Sequence, residues 1–275
     1  MKIKNILVPI DFSECSINAL KYALAMSHEI KSKVTVIHSY HVPLPSTDIS
    51  FTLDADSIED YKKKVLEDFA ALKSMIHGLN QANFKVIIAY AIDAILMSVE
   101  NFSTDLIIMG TKGASGISKT FLGSVSTSVV KKSKVPVLVI PADQTFKPFN
   151  KIAFACDYGN MQDPLGLDLL KTFALLFDSS IHIVNVNTGD GTRRDESPHA
   201  INVLNNSFQG AKFSYHDIAN EDIVEGINRY IQSHEIDLLS VMPRKHRIIE
   251  KILKPSVSKK IVQHTHLPML TFHEE

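Results

Sequence analysis

The chain has 275 residues, 45% of them apolar and 21% charged, with a formal net charge of −1. That length allows one large domain or two of ordinary size, and the composition is that of a soluble globular protein. The charge balance excludes a broad nucleic-acid surface, which needs clustered Lys and Arg, and no run approaches the roughly 18 uncharged apolar residues of a membrane span.

NILVPI (5–10) is a continuous apolar run that ends at Asp11, which predicts a buried strand. The run is also too short for a signal-peptide core, so the expected location is cytoplasmic. Ser13 or Ser16 is placed to cap a helix over 16–30. VTVIHSY (34–40) predicts a second strand, and a polar, Pro-containing loop follows to about Asp54. An amphipathic helix is expected over 58–79, with Gly78 near its C-terminal end. FKVIIAY (84–90) predicts a third strand, 93–102 a helix and DLIIMG (105–110) a fourth strand. GSVSTSVVKKS (123–133) predicts a helix and VPVLVIP (135–141) a fifth strand. Strands that are apolar on both faces and alternate with helices argue for a parallel sheet covered on each side.

After a linker-like segment, ADQTFKPFN (142–150), the pattern restarts. NKIAFACDYG (150–159) echoes KNILVPIDFS (4–13), with Asp157 lying 146 residues after Asp11. SIHIVNV (180–186) echoes the second strand. Residues 237–272 align without a gap on 105–140, 132 residues earlier, so Asp237 pairs with Asp105 and Pro268 with Pro136. The second copy is therefore shorter in its middle, where 198–208 carries a weak helical pattern. The expected organisation is two copies of one α/β unit, over 1–142 and 150–275.

The segment GTKGASGISKTFLGSVS (110–126) concentrates four of the chain's 11 glycines. It leaves the carboxyl end of a strand, where parallel α/β sheets bind ligands, and enters the start of a helix, whose free N–H groups and positive dipole end suit phosphate. Ser124 and Ser126 add hydroxyls, and Asp11, at another strand end, is suited to a ribose hydroxyl or a magnesium ion. Neither a Walker A loop nor a G-x-G-x-x-G fingerprint is present.

The spacing Gly110, Gly113, Gly123-Ser124 reproduces the G-x2-G-x9-G-[ST] motif of the ATP-binding universal stress proteins. VPIDFS opens the unit as in that family, and DLIIMGTKG and KVPVLVIP close it. The chain resembles the family's tandem form over nearly its whole length. The resemblance implies two Rossmann-like domains of the adenine nucleotide alpha hydrolase-like type, each a five-stranded parallel sheet with helices on both faces. It implies ATP (or AMP or ADP) with Mg as ligand and a nucleotide-dependent regulatory or stress-response role.

By that resemblance, Asp11 contacts the ribose or a metal on the phosphates, and Pro9 and Ile10 lie beside the nucleotide. The backbone of Ser39 meets the adenine edge and Met109 lines the pocket. Gly110 and Gly113 let the chain pass close to ribose and phosphate. Gly123, Ser124, Val125 and Ser126 hold the phosphates. Gly116 lies outside the motif and reads as a loop residue. The family also dimerises through its last strand, which implies an intrachain pseudo-dimer of 135–141 against 267–272, with a homodimer of chains as a further form. An unknown protein partner is expected; nucleic acid and membrane are not.

The second copy departs from the motif. Met242, Lys245 and Pro255 stand where Gly110, Gly113 and Gly123 stood, although Asp157 and Ser256 remain. Proline supplies no N–H, and the two side chains take space the motif leaves to a ligand. The second copy is expected not to bind ATP in the family's way. RKHR (244–247) reads as a solvated loop. His264, His266 and His273 lack a carboxylate or cysteine at ligand spacing. Cys15 and Cys156 form no metal motif or disulfide framework and read as small apolar fillers. The sequence identifies no catalytic residue, so slow ATP hydrolysis and a scaffold with a vestigial site stand as the alternatives.

Overall fold

The computed structural model describes residues 2–41, 55–111, 122–156, 165–188, 198–242 and 267–272. The apolar runs of the central strands lie buried, whereas the edge strand Asn83–Ile88 is only partly covered. The first half supplies β1 (Asn5–Ile10), β2 (Lys33–Tyr40), β3 (Asn83–Ile88), β4 (Leu106–Gly110) and β5 (Val137–Ile140). The second supplies β6 (Lys151–Ala155), β7 (Ser180–Asn187), β8 (Lys212–Ala219), β9 (Leu238–Val241) and β10 (Met269–Thr271). All ten join one sheet in the order β3-β2-β1-β4-β5-β10-β9-β6-β7-β8. Neighbours within each half run parallel. The halves meet where β5 and β10 pair antiparallel, Val139 with Met269, Leu138 with Leu270 and Val137 with Thr271.

The described helices are α1 (Glu14–Ile30), α2 (Ala55–Met75), α3 (Ala91–Asn101), α4 (Ser124–Lys132), α5 (Leu165–Phe177), α6 (Pro198–Ser207) and α7 (Ile223–His234). Residues of α1, α2, α5 and α6 share one apolar core with Ile6, Val8, Ile108 and Phe154. Residues of α3, α4 and α7 share another with Leu7, Ile107, Met109 and Val241 on the opposite face. Among the described residues no helix is long and apolar enough to cross a membrane.

The repeat is written into the hydrogen bonds. Asp105 accepts from the N–H groups of Lys4 and Asn5 at 2.7 and 2.9 Å, joining the start of β4 to that of β1. Asp237 accepts from those of Asn150 and Lys151 at 2.7 and 3.0 Å, joining β9 to β6. Ser32 donates to the Ile3 carbonyl as Ser179 does to that of Phe149. The left-handed residues also recur, Lys31 with Asp178 and Ser103 with Glu235.

Several expectations shift in detail. Ser13 rather than Ser16 caps α1, accepting from the Ser16 N–H. The second helix stops at Met75, and a 3-10 turn, Leu79–Gln81, follows Gly78, whose φ of 82° is left-handed. Tyr90 ends no strand; it precedes α3 as its N-cap residue. The linker-like segment is a packed strap. Phe149 is buried, the Phe146 ring meets Tyr22 and Phe177, and the Asn18 amide donates to the carbonyls of Pro141 and Gln144.

Candidate functional site

A cavity of about 210 Å3 opens at the carboxyl ends of β1, β2 and β4, beneath the first turns of α3 and α4. Pro9, Ile10, Asp11, Ser39, Met109, Gly110, Gly123, Ser124, Val125 and Ser126 all line it. Gly113 and Gly116 lie outside the described residues. Four further residues complete the wall: Ser16, Ile37, Ala91 and Ile95. Two of these carried a sequence signal. Ile37 lies two residues from Ser39 on the same strand face, and Ile95 follows Ala91 by one helical turn.

Each wall follows from local structure. β1 ends at Ile10, and Asp11 then turns the chain into α1. The Asp11 Oδ1 accepts from the Ser13 hydroxyl at 2.6 Å and the Ser13 N–H at 3.1 Å, while the Asp11 N–H donates to the Ser16 hydroxyl at 3.3 Å. The carboxylate is thereby oriented by the helix cap it belongs to. On the opposite wall, the first intrahelical bond of α4 runs from the Thr127 N–H to the Gly123 carbonyl. The N–H groups of Ser124, Val125 and Ser126 precede that bond, as the first donors of any α-helix do. They carry the positive end of the helix dipole at the cavity rim.

Two groups assigned to phosphate by spacing are engaged within the chain. The Gly123 N–H donates to the Thr111 carbonyl at 2.6 Å. The buried Ser126 hydroxyl donates to the Gly110 carbonyl at 2.8 Å, tying α4 to the end of β4. The exposed Ser124 and the three N–H groups of residues 124–126 are what this helix end presents.

Gly110 owes its lack of a side chain to packing. A Cβ there would stand 2.8 Å from both the carbonyl oxygen and the Sγ of Cys15, on the α1 face of the sheet. Cys15 is a buried filler at this contact, with its Sγ 3.5 Å from the Thr111 hydroxyl. This corrects one expectation about the second half. Met242, at the position of Gly110, is buried in the core that α5 and Phe272 share, on the face opposite α7. Its side chain points away from where a ligand cavity would lie. Lys245, Pro255, Asp157, Ser256 and the RKHR run lie outside the described residues, as do His264, His266 and His273.

At the equivalent place in the second half the described residues differ. By strand register, Val186 replaces Ser39 and Val184 replaces Ile37. Gly226 of α7 stands where Ala94 stands in α3, and a Cβ there would lie 2.9 Å from the Val186 Cγ1. Helix and strand thus touch directly at this point. Among the described residues no group of three His, Cys, Asp or Glu side chains is placed to hold a metal ion.

Comparison with known proteins shows the family. The profile of the universal stress protein family matches residues 2–141 and again 149–273. The universal stress protein Slr1230 of Synechocystis sp. is 23% identical over 98% of this chain and 100% of its own length. The universal stress protein MJ0531 of Methanocaldococcus jannaschii is 32% identical over 50% of this chain and 81% of its own. A solved universal stress protein from Archaeoglobus fulgidus superposes with a TM-score of 0.68 at 20% identity, covering 98% of this chain and 96% of that one, which is a likeness of fold. The chain belongs to the universal stress protein family, in the form that carries two copies of the unit in tandem.

Proposed function

We propose that the first half binds an adenine nucleotide, ATP with magnesium, and that the protein acts as a nucleotide-dependent regulatory protein in the cytoplasm. The observation that carries this reading is the pairing of the free N–H groups of α4 with the Asp11 carboxylate across one cavity floored by Ile37, Ile95 and Met109. The N–H groups suit phosphate oxygens. A single carboxylate beside substrate phosphates suits magnesium, which keeps several waters and takes few protein ligands. The apolar floor suits a purine, and the Ser39 backbone at the end of β2 offers polar groups to its edge. Asp11 is the one ionisable side chain among the described lining residues. General acid–base chemistry draws on positioned titratable groups, so this lining favours binding over hydrolysis.

The second half, with Val186 seated on Gly226 and the motif glycines replaced, is read as a structural partner that lost the site. The antiparallel join of β5 and β10 is read as an intrachain pseudo-dimer that covers two sheet edges which would otherwise be open.

Isothermal titration of ATP with magnesium into the full chain tests the reading. The expected result is one site per chain, lost in Asp11→Ala and Ser124→Pro, the latter removing one of the three free N–H groups. Two sites per chain would overturn the reading of the second half. No heat, with no nucleotide carried through purification, would overturn the nucleotide site.

A further inference from the structure

Behind the cavity wall lies a side chain that the site described so far does not use. In β2, Ile37 and Ser39 face the cavity, so His38 between them points through the sheet to the other side. It is only 8% exposed. Its Nδ1 lies 2.9 Å from the Ile10 carbonyl oxygen, and its Nε2 lies 2.9 Å from the Tyr61 hydroxyl of α2. A carbonyl only accepts, so Nδ1 carries a proton; in the neutral ring Nε2 then accepts from the Tyr61 hydroxyl. Burial, then Tyr40 and Asp68 nearby, hold the Tyr61 hydroxyl above the usual tyrosine range. The Tyr61 ring stacks on Tyr40, with centroids 3.6 Å apart.

The same imidazole touches the residue on the far side of Asp11. The Phe12 and His38 rings are 4.9 Å apart. Phe12 has a φ of 61°, a left-handed conformation that a bulky side chain rarely adopts and that needs its surroundings to hold it. One buried ring therefore grips the carbonyl just before Asp11 and the side chain just after it, and hands both to α2.

The second half lacks this arrangement. Strand register puts Asn185 at the place of His38, and its amide donates sideways to the Asp217 carboxylate of β8 at 3.0 Å. The pin lies behind the cavity described above.

We propose that His38 is a positioning residue of the nucleotide site, fixing the strand end that bears Asp11 and linking it to Tyr61, so that nucleotide occupancy and the packing of α2 are coupled. This rests on the nucleotide reading above. Coupling of this kind is reciprocal: whatever loosens Tyr61 weakens the nucleotide, and the nucleotide tightens α2.

The test uses the full chain and four proteins: the natural sequence, His38→Ala, His38→Asn and Tyr61→Phe. ATP–magnesium affinity is measured by titration, the His38 ring nitrogens by 15N NMR, and exchange of the α2 amides with and without ATP. The natural chain is expected to shift its His38 nitrogen signals in step with ATP saturation and to gain protection in α2. His38→Ala is expected to weaken ATP about tenfold, the scale of one hydrogen bond lost. His38→Asn, which restores an N–H near Nδ1, should recover most of that. Tyr61→Phe should weaken ATP about threefold and abolish the ATP-dependent protection of α2. If His38→Ala does not fold, Tyr61→Phe decides. Binding by the natural chain with unchanged affinity and unchanged α2 protection in Tyr61→Phe would overturn the coupling and leave the nucleotide site standing. Failure of the natural chain to bind would overturn both.

Discussion

At equivalent places the two halves of the sheet share a frame and differ in what they leave open. The frame is the aspartate pair, Asp105 and Asp237, each bridging two strand starts, together with the left-handed turns that lead into the strands. The difference lies at the carboxyl ends. The first half has Gly110 against Cys15, Ala94 in α3 and Ser39 in β2; the second has Met242, Gly226 and Val186. Small residues have changed places. The first half places a glycine at the end of β4, against α1; the second places one within α7, against Val186 of β7. The halves therefore differ in how a helix packs on the sheet as well as in the residues at the strand ends.

The largest effect is expected from carrying one residue across. Gly110→Met would drive a side chain into the Cys15 carbonyl and Sγ, each 2.8 Å from the first added atom. Overpacking of that kind costs about 3 kcal/mol, and it pushes on the start of α1, where Asp11, Ser13 and Ser16 are hydrogen-bonded together. Chemical denaturation should show the loss, and ATP binding should vanish with it. A variant that melts like the natural chain would mean that Gly110 is retained for the ligand and not for α1.

That prediction also marks what the sequence allowed to be read. The strands were legible because ILVPI, LIIMG and VPVLVIP have no polar residue to expose. The repeat was legible because Asp105 and Asp237 sit in one gapless alignment. Of the cavity wall, the motif residues were legible from their spacing, because a strand end, a bend and a helix start must follow in order. The reason for Gly110 was not legible, since Cys15 is 95 residues away in the chain and meets it only through the sheet. Nor was the engagement of the Ser126 hydroxyl by the Gly110 carbonyl, which depends on where α4 docks. β8 left little trace because KFSYHDIA is an edge strand with most residues exposed and none buried, so no apolar run marks it.

A smaller effect is expected where α7 touches β7. Gly226→Ala puts a methyl 2.9 Å from the Val186 Cγ1 and 3.1 Å from the Asn220 Cβ. Overpacking costs about 1–3 kcal/mol, and replacing glycine inside a helix returns about 1 kcal/mol, so the net loss should be about 1 kcal/mol. Val186→Ser, the residue the first half uses, replaces the two methyls that stand 2.9 and 3.2 Å from the added Cβ with one smaller hydroxyl. The double variant should be more stable than the sum of the single effects by at least about 0.5 kcal/mol, the size of coupling found between touching residues. Strict additivity would show that Val186 does not hold α7 down.

The smallest effect separates the halves by pH. On the α7 side of β7 and β8 the rings of His182 and His216 stack with centroids 4.9 Å apart, and His234 lies 6.2 and 6.1 Å from them. The His182 Nδ1 is 2.7 Å from the Tyr230 hydroxyl, which burial pushes up to about 12. The first half has Thr35, Lys85 and Phe102 at the corresponding positions, so the cluster belongs to the second half alone. Burial first, then His216, His234 and Lys151, lower the His182 pKa from its usual 6.5. Burial and His234 lower that of His216, with Asp217 opposing them. A basic group lowered in the folded state binds fewer protons than in the unfolded chain. Its stabilising effect is therefore full above about pH 6.5 and is lost as the pH falls below it. Thermal melting should thus drop by a few degrees between pH 7.5 and 5, and amide exchange should accelerate first in 212–219, the edge strand held on one side only. His216→Gln removes one proton site and the stacked repulsion together, and should shrink the acid-induced drop without moving the melting point at pH 7.5. If acid instead loosens β3, the edge strand of the first half, before β8, the histidines are not what makes the halves respond differently.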